Sequence, residues 1–263
     1  MKKYVIYYYS GAGNTKYIAK ELQKQLLENS YTVDLIRITK KSIAEPNIEA
    51  DNYIIGFPVY DLSAPSLVTE LLRKIRNKDI SISYFCTKAF MSVDAILELH
   101  KISSHNGLKT IAVQDFYMPG TDALALFAKK DSKTETLLKF FHSRNIPQKV
   151  SQFILRIENK KEVNIKTKWY TILSFLIPQK IKQNFHDQYT KYVPLLHSKE
   201  DTCIKCMLCV KGCPQENIRL DQTIKFDLNC DLCLKCLHHC PVDSIQLGKM
   251  TEGNVRYKKV ELT

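Results

Sequence analysis

Val5-Ile6-Tyr7-Tyr8-Tyr9-Ser10-Gly11-Ala12-Gly13-Asn14-Thr15 is a β-branched and aromatic run broken by glycines, and Lys16 to Glu28 continues it with helix-forming residues. Strand, glycine loop and helix follow one another without a spacer. Gly11 and Gly13 permit backbone angles that aim successive N–H groups inward. Ser10, Asn14 and Thr15 add side-chain donors, and the helix N-terminus adds partial positive charge. The loop Ser10, Gly11, Ala12, Gly13, Asn14 and Thr15 is therefore read as a cradle for a single phosphate, against the alternative of a glycine turn without a ligand. The dinucleotide fingerprint G-x-G-x-x-G is not met, because residue 16 is Lys, and no Walker lysine follows G-x4-G.

Outward from this loop, strands are expected at Tyr31 to Ile38, Asn52 to Phe57, Ile80 to Thr87 and Lys109 to Phe116. Helical segments separate them near Pro65 to Arg76, Ser92 to Ser104 and Thr121 to Arg144. Such alternation makes an α/β domain over residues 1–144, a doubly wound five-stranded parallel sheet of flavodoxin-like type. Its ligand crevice lies where the first and third strands diverge. The S-G-x-G-N-T loop, and Gly56-Phe57-Pro58-Val59-Tyr60 leaving the third strand, are similar to the loops with which flavodoxins bind FMN. That resemblance implies FMN, with Ser10 to Thr15 on its phosphate. Phe57, Pro58, Val59 and Tyr60, together with Thr87, Lys88, Ala89 and Phe90, would surround the ring. Relatives often carry glycines where Ala89 and Phe90 stand here. An aromatic after a strand, such as Tyr60, also serves simple packing.

The chain's other signature is a cysteine pattern written twice: Cys203-x2-Cys206-x2-Cys209-x3-Cys213-Pro214 and Cys230-x2-Cys233-x2-Cys236-x3-Cys240-Pro241. This spacing wraps a pair of [4Fe-4S] clusters, the fourth cysteine of each run serving the other cluster. On that reading Cys203, Cys206, Cys209 and Cys240 hold one cubane, and Cys230, Cys233, Cys236 and Cys213 the second. The repeat continues beyond the cysteines: a step of 27 takes Ile218 to Ile245 and Leu220 to Leu247. Each half should fold as a cluster loop, a short helix and a short strand. Paired zinc sites are the alternative use of four thiolates, although zinc ribbons show separate Cys-x2-Cys pairs. Residues 199–248 resemble bacterial two-cluster ferredoxins, which makes this stretch a small α+β domain followed by a tail, 249–263. The whole chain resembles the flavodoxin–ferredoxin fusion proteins of anaerobic bacteria. That resemblance implies electron transfer without a defined substrate.

Composition adds boundaries. The 263 residues are 44% hydrophobic and 10% aromatic, enough for a packed core. Eight clustered cysteines are expected as metal ligands in a reducing cytoplasm rather than as disulfides. The apolar run at Tyr4 to Tyr9 is too short for a signal peptide. The formal charge of +12 is uneven: Lys plus Arg stand 20 against 15 Asp plus Glu in 1–144, 10 against 3 in 145–199, and 9 against 9 thereafter. Residues 145–198 thus form a basic, partly helical connecting segment. Within 160–182, Trp169 to Ile177 is apolar between lysines. It is read as packing between domains, with peripheral contact at an anionic membrane as the alternative. The basic patch also suits an acidic redox partner protein. No nucleic-acid motif accompanies the charge. Cys86 is expected to be a buried strand residue, and His238 and His239 to be outside the ligand set. Asp61 and Asp122 fall in predicted crevice loops.

Together these features describe an iron-sulfur electron-transfer protein passing single electrons through two clusters, to or from FMN. The alternatives are a flavin-dependent reductase fed by the clusters and a redox-sensing docking module. No catalytic residue is assigned, and whether the chain is an enzyme is left open.

Overall fold

Strand β1 (Lys3–Tyr8) lies at the centre of the first unit of this computed structural model, which describes residues 2–47, 49–60, 62–75, 80–89, 92–140, 144–161, 163 and 191–257. It is flanked by β2 (Thr32–Arg37) and β3 (Asn52–Pro58), and β4 (Ser81–Lys88) and β5 (Lys109–Tyr117) extend the sheet. The order is β2-β1-β3-β4-β5, and every pairing is parallel. This is the flavodoxin-like doubly wound arrangement expected from the alternation of elements.

Alternation within the strands divides the core in two, because successive side chains point to opposite faces. Val5, Tyr7 and Tyr9 join Tyr53, Ile55 and Phe57 under helices α2 (Ser66–Lys74) and α3 (Val93–His105). Tyr4, Ile6 and Tyr8 join Ile54 and Phe85 on the other face. There α1 (Asn14–Glu28) buries Ile18, Leu22 and Leu26, spaced four apart on one helical stripe. Central strands covered on both sides must be apolar throughout, which is why β3 is buried along its whole length.

Two features depart from the simple sequence pattern. Thr121 to Arg144 is not one helix but α4 (Thr121–Phe127) and α5 (Lys133–Phe140). The break has a tertiary cause: Lys129 bridges to Asn254, and the amide of Val255 donates to the carbonyl of Ala128 at 2.9 Å, so the segment at 254–255 takes the carbonyl that a continuing helix would use. Second, helix α6 (Ile146–Glu158) lies on the sheet beside α1, burying Val150, Phe153, Ile154 and Ile157. Residues 164–190, including Trp169 to Ile177, lie outside the described residues. Among the described residues no helix is long and apolar enough to cross a membrane.

The tyrosine-rich core sets an alkaline limit. Burial, helped by Tyr31, Glu158 and Asp51, pushes the Tyr4 phenol up to about 12. Burial also raises Tyr7, Tyr53 and Tyr84. A phenol with a raised folded pKa keeps its proton where the unfolded chain has lost it. The associated stability is present below about pH 10 and disappears as pH rises towards about 12. The urea midpoint should therefore hold steady up to about pH 10 and fall beyond it; a flat midpoint through this window would contradict the assignment.

The C-terminal unit repeats itself in three dimensions. Helix α7 (Leu208–Gly212) maps onto α8 (Lys235–His239), and β7 (Ile218–Asp221) onto β9 (Ile245–Leu247), by the same step of 27. Strands β6 (Leu196–Ser198) and β8 (Thr223–Phe226) are related in the same way. Pairing crosses the halves: β6 joins β9 and β7 joins β8, both antiparallel. Backbone strain repeats too, with left-handed residues at Lys205, Met207 and Glu216 and again at Leu232, Leu234 and Asp243. Non-glycine residues take this conformation only where their surroundings require it.

Candidate functional site

The eight cysteines of the repeat fall into two interleaved sets. Cys203, Cys206, Cys209 and Cys240 line one cavity, partly open to solvent, with Ile204, Leu208 and Ile245 among its walls. Cys209 is pushed up by burial and by Cys206 and Cys203. Cys203 is instead held below its ordinary value, chiefly by the backbone N–H of Lys205 and then by the hydroxyls of Ser198 and Ser244. In the other set, burial and then the neighbouring Cys233 and Cys213 push Cys230 up to about 12. Cys236 is raised by burial and then by Cys233, Cys230 and Cys213. Cys213, from the first half of the repeat, therefore stands with the three leading cysteines of the second.

Backbone amides are aimed at the sulfurs in matching positions. The amide of Asn217 donates to Cys213 Sγ at 3.4 Å, and 27 residues on that of Ser244 donates to Cys240 Sγ at 3.2 Å. The amide of Leu232 donates to Cys230 Sγ at 3.3 Å, matching the Lys205 amide on Cys203. The left-handed turns at Lys205 and Leu232 aim these amides at the sulfurs. Such donors stabilise thiolate over thiol. Among the described residues no three His, Cys, Asp or Glu side chains converge to hold a single ion. A cubane needs the opposite arrangement, with four thiolates spread around a core so that each closes a different iron.

At the ends of β1, β3 and β4 the expected crevice residues come together only in part. Gly13 caps α1 at φ +105°, and the amides that open the helix have no intrahelical acceptor, so the backbone offers donors to an anion there. The loop's side chains are already engaged. Thr15 Oγ1 and Thr87 Oγ1 share a buried hydrogen bond at 2.9 Å, and Ser10 Oγ accepts from the Lys16 amide at 3.3 Å. Asn14 Nδ2 donates to the Pro119 carbonyl at 3.1 Å, while Asn14 Oδ1 accepts from the Tyr257 hydroxyl at 3.0 Å. The side chains brace the loop, which leaves the backbone amides at the start of α1 as its donors towards an anion. Ala12 is buried beside them.

Val59 is tied to β4 by its amide, which donates to the Thr87 carbonyl at 3.0 Å, and Pro58 ends β3. Tyr60 accepts from the Gly11 amide at its hydroxyl, joining the two loops. Phe57 packs inside the core under α2 and α3 instead of facing the crevice. Lys88 turns aside to an ion pair with Asp115 at 2.5 Å. Ala89 approaches Gly120, where an added Cβ would meet Ala89 Cβ at 3.2 Å. Phe90 and Asp61 lie outside the described residues, and Asp122 opens α4.

The second cysteine set abuts this crevice. A Cβ placed on Gly11 would lie 2.3 Å from the Cys233 carbonyl oxygen and 2.8 Å from the Tyr60 hydroxyl, so only glycine allows the approach. Asp231, between two cysteines, anchors the junction. It accepts from Tyr9 Oη at 3.1 Å, Ser66 Oγ at 2.7 Å and Gln215 Nε2 at 2.8 Å. Arg37 adds a hydrogen bond to the Gly212 carbonyl at 2.6 Å, and the Lys40 amide one to that of Pro214 at 2.8 Å. Tyr9, Asp231, Gln215 and Tyr257 carry no motif of their own; their partners lie up to 243 positions away.

Cys86 is buried in β4 with its thiol on Asp115 at 3.2 Å. His238 is fully buried, and its Nδ1 accepts the Tyr257 amide at 3.2 Å. His239 Nδ1 lies 3.1 Å from the Lys235 carbonyl.

Among solved structures, the chain is similar to a flavodoxin of Streptococcus pneumonia TIGR4, at 16% identity and TM-score 0.43, over 60% of this chain and 99% of that one. It is also similar to a Fusobacterium nucleatum flavodoxin bound to flavin mononucleotide, at 15% identity and TM-score 0.42, over 62% and 100%. Flavodoxin 2 from Bacillus cereus matches at 18% identity and TM-score 0.42, over 60% and 99%. No curated protein matches the chain. Residues 5–106 match the family model of the flavodoxin domain, a stretch that holds the glycine loop, most of β1, and β2, β3 and β4.

Proposed function

We propose that this chain is an electron-transfer protein that carries two [4Fe-4S] clusters in its cysteine sets and FMN at the ends of β1, β3 and β4. The observation that carries the reading is the interleaving of the cysteines: two sets of four, each taking its last member from the other half of the repeat, as the spacing of a two-cluster protein requires. The match of residues 5–106 to the flavodoxin domain supports the flavin.

When bound, a flavin exchanges one or two electrons and a cubane one, so the pair can gather or split electrons singly. The chain's own groups do the rest. The loop at 10–15 offers backbone N–H groups to the phosphate, and the Thr15–Thr87 and Asn14–Tyr257 hydrogen bonds hold its shape. Amides of Lys205, Asn217, Leu232 and Ser244 donate to cysteine sulfurs and favour the more negative, reduced state. Leu237, Ile245 and Leu247 exclude water from one side of the cluster unit. The partner we propose is an acidic redox protein, drawn to the basic segment 145–198.

The test is anaerobic purification with iron, acid-labile sulfide and flavin measured on one sample. We expect about eight irons, about eight sulfides and one FMN per chain. Zinc in place of iron overturns the cluster reading, and eight irons with no flavin after FMN is offered overturns the flavin.

A further inference from the structure

The two cysteine sets occupy unequal positions, and that inequality gives the clusters an order. The set of Cys203, Cys206, Cys209 and Cys240 faces outward: Cys206 is exposed, and Ile204 and Leu208 beside it are 61% and 52% exposed. The set of Cys213, Cys230, Cys233 and Cys236 faces inward. Cys233 is buried, and its carbonyl closes over Gly11 of the glycine loop. Tyr9, fully buried, reaches from the end of β1 to Asp231, which lies between Cys230 and Cys233, and its ring meets that of Tyr60 edge-on at 6.4 Å. Tyr60 in turn holds the Gly11 amide. Through Tyr9 and Tyr60, the inner set is in unbroken contact with the ends of β1 and β3.

We infer that the cluster held by Cys213, Cys230, Cys233 and Cys236 exchanges electrons with the crevice, that Tyr9 is the positioning residue at that junction, and that the other cluster is the port to the partner. The inference rests on the function proposed above and adds a sequence of carriers to it. Tyr9 shares a hydrogen bond with the Cys233 sulfur as well as with Asp231. A hydroxyl donor near a cluster sulfur favours the reduced state, so its loss must lower the potential of that cluster and leave the other alone. The burial of the inner set acts in the opposite direction to this donor, because added negative charge is costlier away from water.

The experiment is a redox titration of the full chain, followed by electron paramagnetic resonance, for the wild type, Tyr9→Phe, Cys206→Ala and the double variant. Cys206→Ala disrupts the outer cluster and so identifies its signal. Tyr9→Phe should lower one midpoint by roughly a tenfold change in its one-electron equilibrium, about 59 mV, with iron content unchanged. The shift should survive in the double variant. A shift confined to the signal that Cys206→Ala removes, equal shifts in both clusters, or none, overturns the ordering while leaving an iron-loaded carrier in place. Protein that never takes up iron overturns the function itself, and the ordering with it.

Discussion

Cys213→Ala is expected to abolish the cluster of the second half of the repeat and to spare that of its own half. Iron should fall from about eight to about four per chain. The surviving signal should match the one left by Cys230→Ala, Cys233→Ala or Cys236→Ala. The reasoning is geometric. Cys213 follows α7, and the chain leaves through Pro214, whose carbonyl accepts from Lys40 on the first unit. This carries Cys213 away from Cys203 and beside Cys230, Cys233 and Cys236. Cys240 makes the converse exchange after α8 and lines the cavity of Cys203, Cys206 and Cys209. Cys240→Ala should therefore pair with Cys203→Ala. If Cys213→Ala removes the same signal as Cys209→Ala, the sets are not interleaved and the assignment of ligands is wrong.

Gly11→Ala is expected to loosen the junction between the two units more than any other single methyl addition in the glycine loop. The new Cβ would stand 2.3 Å from the Cys233 carbonyl oxygen, and a carbonyl of the backbone cannot swing aside as a side-chain tip can. Forcing a methyl into a well-packed contact costs about 1–3 kcal/mol. Here the strain falls on the turn that presents Cys233 and on the Tyr60 hydroxyl that holds the Gly11 amide. A lower melting temperature and faster loss of the inner cluster to an iron chelator should follow. Gly212→Ala is the matched control, because its Cβ would meet nothing nearer than the flexible Lys235 side chain at 3.5 Å. Equal melting temperatures and equal chelation rates for the two variants would show that the Gly11–Cys233 approach is not the constraint described here.

Much of this protein is legible along the chain because its determinants are local. Strand and helix periodicity in Val5 to Tyr9 and Lys16 to Glu28 needs only neighbouring residues, and so does the αL position that Gly13 supplies. The cysteine spacing reads equally well, since three thiolates within seven residues must turn about a common centre. The helix at 121–144 failed for the complementary reason. Its sequence is compatible with a continuous helix, but the pairing of Lys129 with Asn254 and of Ala128 with Val255 brings in residues more than a hundred positions away. The crevice was legible as a set of loops and not as an arrangement of side chains. Phe57, a crevice residue by sequence, is taken by the core, and Lys88 by Asp115.

The sequence by itself determined the five-stranded alternation, the glycine loop before α1 and the repeated cysteine pattern, because each depends on contacts within a few residues. Only the tertiary structure decided which cysteine set meets the crevice. It also decided that Tyr9, Asp231 and Gln215 form the junction, and that Tyr257 braces Asn14. These contacts join parts of the chain up to 243 residues apart, and no local pattern encodes a partner at that distance.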